Sequence, residues 1–146
     1  MSGTGKTAVL HRLRHQSFDT VDTDLGPWKR WDEDTHDWLW DEPMMHALLA
    51  AHRDRPLAVS GCVPNQGRFY AAFDKVILLT APLSAMRARV VQRRDNPFGQ
   101  SDDEWDKVAQ DTAMVVPLLR QGCDLEINTD RPLDDVVAQV LAAVRA

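Results

Sequence analysis

The start of the chain constrains its fold more than any other stretch. Gly5-Lys6-Thr7 matches the last three positions of the phosphate-binding loop pattern G-x-x-x-x-G-K-[ST]. The first glycine of that pattern would fall one position before Met1. We therefore expect the strand that normally leads into such a loop, about five apolar residues ending in glycine, to be encoded upstream of Met1.

The loop pattern predicts a nucleotide site. Backbone N–H groups at a helix N-terminus attract a polyphosphate, because unpaired amide donors and aligned peptide dipoles face the anion. Lys6 is expected to contact the β- and γ-phosphates of ATP, and the Thr7 hydroxyl to bind Mg²⁺. Gly3 and Gly5 allow the tight backbone turn. The predicted ATP-binding residues are Ser2, Gly3, Thr4, Gly5, Lys6, Thr7 and Ala8.

Composition narrows the class of protein. With 146 residues, 44% of them hydrophobic, the chain is expected to form a single domain over residues 1–146. It has no signal-peptide pattern and no apolar run of membrane-spanning length, and its two cysteines are far apart, so we expect a cytoplasmic protein without a membrane partner. A net charge of −5 argues against a nucleic-acid partner. We expect a monomer or a weak dimer.

Apolar strand patterns alternate with helical patterns, which is typical of an α/β fold with a parallel sheet. Strands are predicted at 19–23, 57–62, 76–80 and 125–128, and helices at 5–15, 42–53, 83–95, 101–122 and 132–145. Ser101 and Glu104 have the spacing of a capping box. Thr129 or Asp130 is expected to cap the last helix. The tryptophan-rich segment 28–40 shows no clear period.

The order of these features resembles the small P-loop kinases. A half phosphate-binding loop is followed by Asp22-Thr23-Asp24, a turn at Gly61, an apolar strand and a helix with arginines. Shikimate kinase and the adenylate-kinase-like nucleotide kinases share this order, as do small bacterial proteins labelled AAA-family ATPases. The resemblance implies a three-layer α/β P-loop NTPase sheet of order 2-3-1-4-5, with its first strand missing from this chain. It also implies an acceptor-binding segment at about 24–42 and a lid at about 95–103.

The resemblance assigns roles on the acceptor side. It implies that Asp22 helps to hold Mg²⁺ and that Asp24 engages the acceptor hydroxyl, with a catalytic role as its base. The alternative is a turn in which both aspartates only accept backbone hydrogen bonds. Gly61 and Arg68 are expected to bind the acceptor, Arg68 by clamping a carboxylate or phosphate. Alternatively, Arg68 is an exposed arginine on a short helix.

Other residues are assigned to the nucleotide side. Arg89 and Arg93 are four positions apart, so they are expected to share a helix face. The resemblance implies that Arg89 binds the nucleotide and that Arg93 is a catalytic phosphate ligand. The loop 128–132 resembles the one that borders adenine. The four tryptophans of segment 28–40 could bind a ring-shaped substrate, but at least two are expected to form a small core instead.

The resemblance as a whole implies an enzyme that transfers the γ-phosphate of Mg·ATP to a small-molecule acceptor. Two alternatives remain at this point. One is a nucleoside monophosphate kinase, and the other is a nucleotide-binding or regulatory protein without catalytic activity.

Overall fold

The computed structural model describes residues 3–94 and 97–146. Its helices are α1 (Lys6–Arg14), α2 (Glu42–Ala50), α3 (Leu83–Gln92), α4 (Asp102–Gly122) and α5 (Leu133–Arg145), with a 3₁₀ helix at Gln66–Ala72. Its strands are β1 (Asp19–Asp22), β2 (Lys29–Asp32), β3 (Asp37–Trp40), β4 (Leu57–Ser60), β5 (Ile77–Thr80) and β6 (Leu125–Asn128). Among the described helices, none is long and apolar enough to cross a membrane.

The chain divides into two compact units. The N-terminal unit is Lys6–Asp74, and the C-terminal unit combines the described residues before Lys6 with Lys75–Ala146. In the N-terminal unit, β1 and β4 pair in parallel, from Asp19 opposite Leu57 to Asp22 opposite Ser60. Helix α1 packs on this pair and buries an apolar face of Val9, Leu10 and Leu13. A separate core consists of Trp40, Met45, Val63 and Phe69.

The C-terminal unit is built around a second parallel pair, β5 and β6, which align from Ile77 opposite Leu125 to Thr80 opposite Asn128. Helix α5 packs on β6, and its buried residues are Val136, Val137 and Val140. Helices α3 and α4 contribute the core residues Met86, Val90, Trp105 and Val108. Parallel strands flanked by helices are the arrangement that the alternating sequence pattern predicted.

The two parallel strand pairs agree with the neighbours in the predicted sheet order 2-3-1-4-5. Strands β1 and β4 are the second and third of the predicted five, and β5 and β6 are the fourth and fifth. The three-layer architecture, and a missing first strand between the two pairs, stay predictions. Segment 28–40, which was given no regular structure, forms the antiparallel hairpin β2–β3, with Trp31 opposite Trp38. Their rings meet edge to face, with centroids 5.7 Å apart.

The helix ends correct two of the predictions. Ser101 caps α4 by accepting a hydrogen bond from the Glu104 backbone N–H, as predicted, but the Glu104 carboxylate accepts from Gly99 N–H rather than from Ser101. The prediction that Thr129 or Asp130 caps α5 was wrong, because Pro132 occupies the N-cap position and makes no side-chain cap. Since α3 ends at Gln92, Arg93 is its extended C-cap residue and does not share a helical face with Arg89.

Candidate functional site

The phosphate-binding loop has the tight backbone turn that Gly3 and Gly5 predicted. Gly3 and Gly5 have φ angles of 81° and 93°, in the region that favours glycine. A Cβ on Gly3 would lie 2.7 Å from the Met86 carbonyl oxygen, so no other residue fits there. Helix α1 begins directly after the loop, at Lys6. Ser2 lies outside the described residues, and Ala8 is exposed on the first turn of α1.

Arg89 supports this loop from within the C-terminal unit. Its guanidinium donates to the Gly3 carbonyl oxygen (3.0 Å), the Thr129 hydroxyl (2.9 Å) and the Thr129 carbonyl oxygen (2.6 Å). The Thr129 hydroxyl in turn lies 2.9 Å from the carbonyl oxygen of Thr4, a residue that is 1% exposed. Arg89 therefore ties the loop to the segment after β6. Its predicted contact with the nucleotide stays a prediction.

In the N-terminal unit, the structure brings the two predicted metal ligands together. The Thr7 hydroxyl on α1 donates to Asp22 Oδ2 at the end of β1 over 3.0 Å. Mg²⁺ prefers oxygen ligands, usually one or two protein groups together with water and phosphate oxygens. This hydroxyl and carboxylate fit that preference. Within residues 3–94 and 97–146, no cluster of three or more His, Cys, Asp or Glu side chains could hold a metal ion.

Asp24 forms an ion pair with Lys29, 3.0 Å from Oδ1 to Nζ. Partial burial raises the pKa of the Asp24 carboxyl, but the hydrogen bond and charge of Lys29, with the charge of Lys6, outweigh it, so the pKa lies below its usual value. The side chain is 53% exposed. Asp24 N–H donates to Asp22 Oδ1 over 3.1 Å, so the Asp22 carboxylate also has the turn-closing role considered as an alternative.

Gly61 follows β4 and is crowded by protein atoms. A Cβ at this position would overlap the Thr23 hydroxyl and lie 3.0 Å from the Trp40 ring. Packing alone therefore accounts for this glycine, and its predicted contact with an acceptor stays a prediction. Thr23 was given no role from the sequence, and Trp40 was considered only as one of the four tryptophans of segment 28–40, although a buried indole N–H generally needs a partner. The tryptophan therefore indicated that a hydrogen-bond acceptor would be needed, but the sequence did not identify that acceptor as Thr23.

Arg68 lies at the edge of an open groove of about 390 Å³. Its guanidinium donates to Glu42 Oε1 over 2.8 Å, and its side chain is 74% exposed. The groove is lined by Thr35, Leu39, Pro64, Asn65, Gly67 and Arg68. The side-chain amides next to Arg68 in the sequence are occupied within the protein, since Asn65 binds the backbone of Trp40 and Gln66 binds Tyr70.

The described part of the lid-like segment folds back on the end of α3. Arg93 donates to the Phe98 carbonyl oxygen over 2.7 Å. The Gln100 amide donates to the carbonyl oxygens of Val90 (3.2 Å) and Arg93 (2.9 Å) at the C-terminal end of α3. Residues 95 and 96 lie outside the described residues, and the phosphate contact of Arg93 stays a prediction.

Comparison with known proteins finds similarity at the level of structure. No protein-family model and no curated protein sequence matches the chain. Its structure is similar to that of shikimate kinase from Acinetobacter baumannii in complex with shikimate, with a TM-score of 0.70 and 18% sequence identity over 98% of this chain and 88% of that one. The chain therefore has a mixed α/β fold similar to that of this shikimate kinase structure.

Proposed function

We propose that this protein is a P-loop kinase that transfers the γ-phosphate of ATP to a hydroxyl group of a small molecule. The observation that carries the proposal is the 3.0 Å hydrogen bond between Thr7 and Asp22. It joins the last residue of the loop pattern to the first aspartate of Asp22-Thr23-Asp24. The similarity to a shikimate kinase structure, itself in complex with a small molecule, supports the same class of reaction.

In this proposal the residues 3–7 bind the polyphosphate. The amide groups at the start of α1 attract the anion, and the Lys6 ammonium adds a charge-assisted contact. Thr7 and Asp22 would hold Mg²⁺, which when bound neutralises negative charge on the β- and γ-phosphates. Arg89 contributes indirectly, by fixing the carbonyl group of Gly3.

Asp24 orients the acceptor hydroxyl and accepts its proton. Its lowered pKa keeps it ionised at neutral pH, as a proton acceptor must be. The groove beside Arg68, which Thr35 and Leu39 of the hairpin also line, is proposed to bind the rest of the acceptor, and Arg93 to contact the transferred phosphate. Phosphoryl transfer of this kind depends on positioning and charge, and needs no covalent intermediate on the enzyme.

Transfer of labelled phosphate tests the proposal. The chain is incubated with γ-labelled ATP, Mg²⁺ and two panels of acceptors, hydroxylated metabolites and nucleoside monophosphates, with Lys6→Ala as the inactive control. Label on a metabolite supports the proposal. Label on a nucleotide identifies a nucleoside monophosphate kinase, and ATP binding without transfer to either panel identifies a nucleotide-binding protein. Each of these two results overturns it.

The Lys6→Ala variant also tests the nucleotide site directly. Loss of a charge-assisted contact is worth about 1.5 to 3 kcal/mol, so ATP should bind roughly 10- to 150-fold more weakly. Lys75→Ala is the matched control, since this lysine lies outside the loop pattern. Equal ATP affinity in the two variants would show that the loop does not bind the nucleotide.

A further inference from the structure

The hairpin β2–β3 contacts Asp22-Thr23-Asp24 through its open end. Lys29 is the first residue of β2 and Trp40 is the last residue of β3, and the two are opposite each other in the strand register. Lys29 contacts Asp24, and Trp40 contacts Thr23. A single pair of neighbouring side chains on the hairpin therefore reaches two successive residues of the acidic turn.

Trp40 holds Thr23 in place. Its indole Nε1–H donates to the Thr23 hydroxyl over 2.9 Å. That hydroxyl donates to the Ser60 carbonyl oxygen over 2.7 Å, and the Thr23 backbone N–H donates to the same oxygen over 3.0 Å. Thr23 is completely buried, and Gly61 leaves the space that its hydroxyl occupies. The backbone between the two aspartates is thus fixed to the end of β4.

Trp40 is itself firmly held. The Asn65 side-chain amide binds both backbone groups of Trp40, accepting from its N–H and donating to its carbonyl oxygen, each over 3.0 Å. The indole ring is 4% exposed and packs edge to face on Phe69. A buried ring with a satisfied N–H and an anchored backbone has few alternative positions. Trp40 can therefore position Thr23 precisely enough to matter for chemistry.

Lys29 acts on the other side of the turn. Its ammonium lies 3.0 Å from Asp24 Oδ1, and its side chain is 27% exposed. An ion pair of this kind restricts the rotation of the aspartate side chain. The geometry points to Lys29 and Trp40 as positioning residues for the proposed kinase reaction, which hold Asp22 and Asp24 at the spacing that their two roles require. This inference rests on the proposed function.

Two pairs of variants test it. Trp40→Phe keeps an aromatic ring against Phe69 but removes the indole N–H, and Trp38→Phe is the control because Trp38 lies on the same strand and is 51% exposed. Misplacement of a reacting group by about 1 Å can cost about 100-fold in rate. We expect kcat to fall roughly 10- to 100-fold in Trp40→Phe only, with an unchanged KM for ATP.

Lys29→Met should likewise lower kcat more than Arg30→Met, a substitution of its neighbour on β2, and Lys29→Arg should retain most of the wild-type kcat.

Hydrogen exchange gives a readout that does not depend on activity. The Thr23 amide should exchange faster in Trp40→Phe than in the wild type and Trp38→Phe. Unchanged Thr23 protection, or equal kcat values within each pair of variants, would overturn the inference. A wild-type protein without phosphate transfer would overturn the proposed function alone, because the exchange measurement still decides the role of Trp40.

Discussion

Gly3 occupies a position where both its backbone angle and its surroundings exclude a side chain. Its φ of 81° costs an L-residue about 1 to 2 kcal/mol, and a Cβ would also be pressed against the Met86 backbone on α3. Arg89 meanwhile binds the Gly3 carbonyl oxygen. A change at this residue must therefore move the loop, α3 or both. Loop geometry and local packing are inseparable at this position.

We accordingly predict that Gly3→Ala lowers both stability and affinity for Mg·ATP. The strained backbone angle alone should reduce the free energy of unfolding by about 1 to 2 kcal/mol, with the contact to Met86 adding to it. Denaturant unfolding and calorimetric titration with ATP measure the two effects. Gly67→Ala is the control, because a Cβ there meets no heavy atom within 4 Å. Equal stability of the two variants would show that the loop tolerates a side chain.

Asp24 is the residue whose charge the proposed reaction needs most. Asp24→Asn keeps the size of the side chain but removes its ability to accept a proton and its ion pair with Lys29. We expect turnover to fall by about 100-fold or more, the usual contribution of a general base, while ATP affinity changes little. Asp34→Asn, an exposed aspartate in the hairpin turn, is the control. Wild-type turnover in Asp24→Asn would leave this residue only its part in closing the turn.

At the scale of elements, the sequence predicted the strands and helices whose signals are local. Strand β5 was placed within one residue because Ile77, Leu78 and Leu79 form a continuous apolar run. The hairpin was not predicted, since Lys29–Asp32 and Asp37–Trp40 mix charges and tryptophans without alternation. Its stabilising pair, Trp31 with Trp38, exists only across the strands. Cross-strand contacts of this kind cannot be predicted from the pattern of a short stretch of sequence.

In the candidate site, too, some residues were predicted from the sequence and others were not. Thr7 and Asp22 were predicted from a loop pattern and a resemblance, and the structure places them 3.0 Å apart. The partners of Arg89 were not predicted, because Gly3 lies 86 positions away and Thr129 lies 40 positions away. From the sequence, the spacing of Arg89 and Arg93 suggested that both side chains bind an anion, the nucleotide. Only the fold shows that the guanidinium binds backbone carbonyl oxygens, which satisfy it equally well.

The end of α4 is joined to β6 by an ion pair whose strength should depend on pH. Arg120 donates to both carboxylate oxygens of Glu126, over 2.7 and 2.9 Å. The hydrogen bond from Arg120 lowers the pKa of the Glu126 carboxyl below its usual 4.5, while burial opposes this and Thr80 adds a further hydrogen bond. A lowered pKa in the folded state means that the carboxylate stabilises the fold at neutral pH. The contribution is lost as the pH falls below about 4.5 through the folded pKa.

We predict that Arg120→Met lowers the free energy of unfolding only slightly near neutral pH, since both side chains are partly exposed and screened by solvent. The difference from the wild type should shrink as the pH falls below about 4.5 through the folded pKa, where Glu126 becomes protonated. Urea unfolding at several pH values measures it. Arg131→Met, at an exposed arginine, should show no such trend. A deficit of the same size at every pH would mean that Arg120 stabilises by packing rather than by charge.

At the scale of the whole molecule, each compact unit has its own apolar core. Met45 lies in the core of the N-terminal unit with Trp40, and Met86 lies in the core of the C-terminal unit with Trp105. Both methionines are completely buried. Each core packs beside a different part of the candidate site: Trp40 beside Thr23, and Met86 beside Gly3. The same substitution can therefore be made in each core and its effects compared.

We predict that Met45→Ala and Met86→Ala each lower the stability of their own unit by about 2 to 5 kcal/mol, because each removes buried atoms and leaves a cavity. Hydrogen exchange should accelerate mainly in β1, β4 and the hairpin for Met45→Ala, and mainly in β5, β6 and α4 for Met86→Ala. Met114→Ala, at a residue 72% exposed on α4, should change neither. Uniform acceleration throughout the chain in both variants would instead identify a single cooperative unit, which is the single domain that the length of the chain predicted. The exchange pattern thus decides whether stability is set separately in the two units.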